Sequence, residues 1–351
     1  MEVATTNVDG PGDSDVPIGV PVEIDGVKVW YFRSPTLRRT YWSPGLEGFL
    51  RGQASRFEIV HTHSVFLWPT WAAARHARAH AVPYVVSPRG MLVRDLIRRK
   101  NRLLKTAWIT LFERTNLEAA AAVHFTSAIE ESEARRLGIR FSKTFVVPNG
   151  VEPDNGPAGS AVRADVREIL EDRSPFVLFV GRVNWKKGLD RLIPAMKRVP
   201  FARLVIAGND EEGYLPSLRA LASREGVGDR VRFLGPVQGG DKRALFAAAA
   251  VFALPSYSEN FGNAALEAMA AGVPVVLTPE VGLAADAGAC GAGIVTSGEP
   301  EPLGAEIGRL LRDESLRKSM GDRGRVCAID RFAWDAVARR MRDAYTEVLR
   351  K

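Results

Sequence analysis

Short apolar runs recur through the second half of the chain with helical segments between them, and this alternation constrains the fold most. Phe176–Gly181, Leu204–Gly208, Val231–Gly235, Val251–Leu254, Val275–Leu277 and Gly293–Thr296 are the runs. Leu189–Val199, Leu215–Arg224 and Lys242–Ala250 between them have helical periodicity. Strands that are apolar throughout are buried on both faces, as happens when crossover helices cover a parallel sheet. The first half repeats the scheme less regularly. Its strands are expected at Val27–Phe32, Glu58–His61, Tyr84–Ser87, Ala122–Thr126 and Thr144–Val147. Its helices are expected around Thr70–His80, Arg98–Leu117 and Ile129–Leu137. A chain of 351 residues therefore reads as two Rossmann-like α/β domains. The Gly- and Pro-rich stretch Asn149–Ser160 is the expected linker. The expected domains are 1–155 and 156–333, with a closing helix in 334–351 that Trp334 opens and that packs back towards the first domain.

Several classes are excluded early. The longest uncharged apolar run, Ala244–Leu254, has eleven residues, and a spanning helix needs about 20. Met1–Asp15 is acidic and Gly-rich where a signal peptide would be basic and then apolar. Cys290 and Cys327 lie far apart without metal or redox spacing, which suits a reducing cytoplasm. The net charge of +7 raises nucleic acid as a partner, so its distribution matters. Between Arg89 and Arg114 eight basic residues face only Asp95 and Glu113. The excess is local, and no nucleic-acid partner is expected. Leu, Ile, Trp and Phe interleave with those bases, so the segment 89–114 is either a helix on an anionic membrane surface or a solvated basic face over a core.

Two strand ends carry chemistry, because open α/β sheets bind ligands beyond the carboxyl ends of their strands. After Phe176–Val180 comes G-R-V-N-W-K-K-G, Gly181–Gly188, which puts Arg182, Lys186 and Lys187 on a loop before a helix. Such a loop holds a phosphate by side-chain charge and backbone amides together. After Val251–Leu254 comes P-S-Y-S-E-N-F-G-N-A-A-L-E-A-M-A-A-G-V-P, Pro255–Pro274. Ser258 or Asn260 is the expected cap, with Glu259 at the helix mouth and Glu267 just over two turns along the same helix. Small neighbours such as Ala264 and Ala268 let a ligand come close to Glu267, and Gly262 lets the backbone do so.

This second segment closely resembles the E-x7-E signature of the family 4 retaining glycosyltransferases, which have the GT-B fold. Every fixed position of P-S-x-x-E-x-F-G-x-x-x-x-E-A-M-A-x-G-x-P-V is met, ending at Val275. G-R-x-x-x-x-K-G, V-V-P-N-G-V (Val146–Val151) and V-P-Y-V-V-S-P-R-G-M-L (Val82–Leu92) are also family-like. The resemblance implies two Rossmann-like domains facing across a cleft, and a transferase that moves a sugar from a nucleotide-diphosphate sugar of UDP or GDP type. It also implies retention, no metal and no further cofactor. By that resemblance Arg182 and Lys187 hold the diphosphate, Glu267 takes the ribose hydroxyls, and Glu259 faces the sugar. Asn260, Phe261, Gly262 and Asn263 lie along the donor, with the amides around Phe261–Asn263 meeting its phosphate or sugar. The leaving diphosphate develops negative charge, which two cations and a helix N-terminus stabilise.

Two departures from the family pattern stand out. Many members have S-P-H-G where this chain has Arg89 in S-P-R-G. Arginine stays protonated and cannot serve as a base, so Arg89 is expected to act electrostatically. The pattern also opens with a further βα unit before Glu2–Asn7, so a longer product is expected. The alternative reading is a truncated relative, catalytically impaired, that binds nucleotide or a partner only. His61-x-His63 has both rings on one face of a strand, and with no third ligand evident an acceptor role or packing is expected rather than metal. Trp68 is a candidate to stack on an acceptor sugar, with a place in the core as the alternative. A glycan or lipid-linked acceptor, in surface polysaccharide or lipopolysaccharide assembly, is the expected setting. The enzyme is expected in the cytoplasm, peripheral on the inner face of the membrane.

Overall fold

The computed structural model describes residues 1–93, 108–152 and 162–350. The side chains of Thr110 and Leu111 are outside that description. Most of the basic segment 89–114 and most of the expected linker therefore lie outside the described residues. The chain divides into two compact units, Met1–Val147 with Met341–Lys351, and Pro148–Arg340.

In the first unit, β1 (Glu2–Thr6), β2 (Val8–Asp9), β3 (Gly12–Asp13), β4 (Pro21–Ile24) and β5 (Val27–Phe32) come first. They are followed by β6 (Val60–His63), β7 (Tyr84–Ser87), β8 (Ala122–Phe125) and β9 (Thr144–Val146). The last four form a parallel sheet in sequence order. β1 pairs with β5 in parallel, Glu2 opposite Lys28 through Thr6 opposite Phe32, while β4 pairs with β5 antiparallel. Strands of this unit thus fall into separate sheets rather than one continuous one. β7 and β8 are buried along their whole length, whereas β4 is mostly exposed, which is why the apolar pattern finds the former and misses the latter. The end of the last helix, Trp334–Leu349, belongs to this unit. Its Val348 and Tyr345 pack with Val85, Ala122, Ile59 and Phe145.

The second unit is more regular. β10 (Phe176–Val180), β11 (Arg203–Ala207), β12 (Val231–Gly235), β13 (Val251–Leu254), β14 (Val275–Leu277) and β15 (Gly293–Val295) form one sheet in the order β12-β11-β10-β13-β14-β15. Every pairing in it is parallel. Its centre is dry: Val177, Leu178, Phe179, Leu204, Val205, Val251, Phe252 and Ala253 are all fully buried. Helix Glu314–Phe332 opens on Asp313, whose side chain accepts from Leu316 N–H at 2.8 Å, as an N-cap should.

Candidate functional site

In the second unit the strand order reverses between β10 and β13, which are neighbours in the sheet. The loops leaving their carboxyl ends therefore run side by side at the switch point, where such sheets bind ligands. Tyr257 N–H donates to the Lys186 carbonyl at 2.8 Å and ties the two loops together. Gly188 makes this approach possible. It has φ +69°, and a Cβ there would lie 2.0 Å from the Pro255 carbonyl oxygen. The preceding turn, Trp185–Lys187, is thereby pressed against the second loop.

The helix of that second loop starts later than its sequence suggests. It spans Asn263–Ala270 and is capped by Gly262 at φ 103°, with no side-chain cap, so neither Ser258 nor Asn260 fills that role. Glu259 consequently precedes the helix, and Glu267 stands just over one turn into it. Gly262 is required sterically as well as conformationally, since a Cβ would meet Val281 Cγ1 at 2.9 Å. Glu259 is held by backbone: its N–H donates to the Glu280 carbonyl at 3.1 Å, and Gly282 N–H donates to its carbonyl at 3.0 Å. Leu283 N–H donates to the Phe261 carbonyl at 2.8 Å. An uncapped first turn leaves amide groups for an anion, and the helix dipole favours one there.

The charged side chains of the site are already matched. Lys187 Nζ donates to Glu259 Oε2 in an ion pair whose side chains are each only 17% exposed. Lys242, a residue that the sequence reading did not single out, places Nζ 2.8 Å and 2.7 Å from the two oxygens of Glu267. Arg182 is more exposed and lies 3.4 Å from Glu211. Asn263 Oδ1 accepts from Asn149 Nδ2 at 2.9 Å. The structure thus brings Lys187, Glu259 and the start of the helix together, with Glu267 one turn further on.

In the first unit, His61, His63 and Arg89 also meet. The rings of His61 and His63 stack with centroids 4.5 Å apart. Arg89 donates to His63 Nδ1 from both Nε and Nη2 at 3.1 Å. His61 Nδ1 lies 2.6 Å from the Tyr345 hydroxyl. His124, which the sequence reading missed, lies edge-on to His61 and donates from Nε2 to the Val147 carbonyl at 2.8 Å. Glu130 was missed too. Buried at 3% exposure, it accepts from Gly90 N–H at 2.5 Å and from Thr126 N–H at 2.7 Å. It thereby anchors the Arg89–Gly90 turn, in which both residues have positive φ. Trp68, partly buried, packs with Trp30, Phe49 and Trp71 against Phe32, Leu46, Leu50 and Ala72. Among the described residues no group of three His, Cys, Asp or Glu could hold a metal ion.

These imidazoles make stability depend on pH. Burial first, and then the neighbouring His63, His124 and Arg89, push His61 down to about 2. Burial pushes His124 down to about 4, opposed by its bond to Val147. Both fall below the ordinary value of 6.5, so the unfolded chain takes up protons that the folded one refuses. Stability is full above that value and declines as the pH falls below it. The slope approaches about 1.4 kcal/mol per pH unit for each such imidazole. Urea unfolding at pH 7 and at pH 5 checks this. His124→Phe is expected to flatten the dependence, and an unchanged slope in that variant refutes the assignment.

Comparison with known proteins places both halves. The family described as Glycosyl transferases group 1 matches residues 163–326. The Glycosyl transferase 4-like domain matches residues 1–150. The chain is 30% identical over 334 residues to a D-inositol 3-phosphate glycosyltransferase of Xylanimonas cellulosilytica, covering 92% of this chain and 73% of that protein. Its counterpart in Segniliparus rotundus is also 30% identical, over 95% of this chain and 70% of that one. Among solved structures, sucrose-phosphate synthase of Thermosynechococcus elongatus superposes with a TM-score of 0.76 at 24% identity, over 99% of this chain and 88% of that one. Anabaena HepE in complex with UDP and glucose superposes with a TM-score of 0.71 at 21% identity, over 92% and 86%.

Proposed function

The chain belongs to the glycosyl transferases group 1 family and is a glycosyltransferase of GT-B fold, and on that premise we propose that it moves a sugar from a nucleoside diphosphate to an acceptor hydroxyl with retention and without a metal. The observation that carries the reading is Lys187 beside Glu259 at the opening of helix Asn263–Ala270. When the glycosidic bond breaks, charge grows on the leaving diphosphate. A cation and a helix N-terminus are the groups that stabilise such charge. Arg182 is the second cation, Glu267 receives the ribose hydroxyls, and Asn260, Phe261, Gly262 and Asn263 line the donor. UDP is the favoured nucleotide, since HepE binds UDP and glucose. The acceptor is a glycan or lipid-linked hydroxyl, met by His61, His63 and Arg89, and the setting is surface polysaccharide or lipopolysaccharide assembly in the cytoplasm. Residues 89–114 would bring the enzyme to an anionic membrane surface. A phosphorylated polyol acceptor is a second reading, favoured by the name of the bacterial relatives and by the guanidinium of Arg89.

A thermal-shift series with UDP, GDP and ADP tests the donor site. A nucleotide at about 100 times its dissociation constant adds about 2.7 kcal/mol, and the rise is expected with UDP. Glu267→Ala is expected to remove it. A folded sample that responds to none of the three nucleotides sinks the proposal and favours an impaired relative.

A further inference from the structure

The two cysteines, remote in sequence, are neighbours in the second unit. Helix Glu314–Phe332 presents Arg323, Cys327 and Arg331 at four-residue spacing, so they form one stripe along its surface. Each member of the stripe meets a group on or just after helix Ala284–Ala289. Arg323 Nε donates to the Gly291 carbonyl at 2.9 Å, and Arg331 Nη2 donates to Asp286 Oδ1 at 2.7 Å. Between them Cys327 and Cys290 line one cavity together. The segments are close at backbone level too, since a Cβ on Gly324 would lie 3.3 Å from Ala292 Cβ. Cys327 is buried and Cys290 half-buried, its Sγ donating to the Asp286 carbonyl at 2.8 Å. A cavity of about 410 Å³, lined by Cys290, Val326, Cys327 and Asp330 among others, opens beside the pair and gives a small oxidant access.

We propose that Cys290 and Cys327 are an oxidisable pair that closes to an intramolecular disulfide under peroxide, stapling helix Ala284–Ala289 to helix Glu314–Phe332. Cys290, the more exposed sulfur, attacks hydrogen peroxide, breaks its O–O bond and becomes a sulfenic acid with release of one water. Cys327 then attacks that sulfur, the S–S bond forms, and the hydroxyl leaves with the Cys327 proton as a second water. Two thiols are thus oxidised by two electrons and one peroxide is reduced to two waters. The order of attack follows the environment. Burial, reinforced by Cys290, pushes the Cys327 thiol up to about 12, so Cys327 is the poorer nucleophile and the first attack on peroxide falls to Cys290. The staple reaches the donor loop through short connections. Helix Ala284–Ala289 continues directly from Glu280–Leu283, the segment whose backbone holds Glu259 and Phe261. The inference rests on packing within the second unit and stands whether or not the donor assignment does.

Treating the full chain with a small excess of hydrogen peroxide tests it. Intact mass without reductant is expected to fall by about 2 Da, and dithiothreitol is expected to restore it. Peptide mapping should recover Cys290 cross-linked to Cys327, and the melting temperature should rise by several degrees, as expected when a loop is closed in the unfolded chain. Cys327→Ala is expected to gain oxygen at Cys290 instead of losing hydrogen, because the resolving thiol is gone. Wild-type protein that only gains oxygen, keeps both thiols titratable, or forms a disulfide-linked dimer overturns the proposal.

Discussion

Lys187→Ala is expected to lower kcat/KM for sugar transfer by about 10²–10³-fold, the loss typical of removing one group that stabilises transition-state charge. Two effects act in the same direction. The cation at the opening of helix Asn263–Ala270 disappears, so the diphosphate leaves without its nearest counter-charge. Glu259 then stands alone in a place where its side chain is only 17% exposed, and a bare carboxylate there repels the incoming phosphates. Glu259→Ala removes the proposed sugar contact but leaves the cation unmasked, so its donor affinity should suffer less than that of Lys187→Ala. The double variant separates the terms. If repulsion by the orphaned carboxylate contributes, Lys187→Ala/Glu259→Ala binds UDP more tightly than Lys187→Ala alone. Steady-state transfer and UDP titration supply both numbers, and a loss in transfer below about fivefold in Lys187→Ala would falsify the placement of this lysine at the leaving group.

Gly188→Ala should be among the most damaging small substitutions in the second unit. Its added methyl would sit 2.0 Å from a backbone oxygen and 2.8 Å from the carbonyl carbon of Pro255, and backbone cannot swing aside as a side chain can. The loops must part, and the Tyr257 N–H to Lys186 bond goes with them. Positive φ adds its own strain, of order 1–3 kcal/mol. Gly226 provides the control: its φ is +70°, yet a Cβ there would meet nothing within 4 Å. Gly226→Ala therefore reports the conformational cost alone. Gly188→Ala is expected to melt about 5–10 °C lower than the wild type at roughly 2–4 °C per kcal/mol, clearly below Gly226→Ala, and to lose UDP binding while still folded. Equal melting temperatures for the two variants sink the steric argument.

Much of the second unit is legible in the sequence because its strands are buried on both faces. Phe176–Val180 and Val251–Leu254 are apolar without a break, and each is a strand over that same stretch. The first unit is less legible where its strands are half exposed, as Glu2–Thr6 and Pro21–Ile24 are. At the site, residue types and loops are readable, while the helix start is not. Ser258 and Asn260 have the chemistry of a cap, yet a glycine with positive φ takes the position because Val281 leaves room for nothing larger. Partners distant in sequence are the least readable of all. No local pattern sets Lys242 against Glu267, Glu130 against Gly90, or Cys327 against Cys290, because those pairings are made by strand order and helix packing.

The mutual neutralisation of Lys187 with Glu259 and of Lys242 with Glu267 bears on what the pocket turns away. A site of unpaired lysines would collect any passing anion. Here an incoming group must separate an ion pair, and it is retained only if it satisfies both halves afterwards. Inorganic phosphate or sulfate offers a partner to the lysine and nothing to the carboxylate, so it leaves a charge stranded. A nucleotide sugar brings phosphates for the cation and hydroxyls for the acids in one molecule. On the proposed donor assignment, discrimination against simple anions would follow from the pairing of these charges.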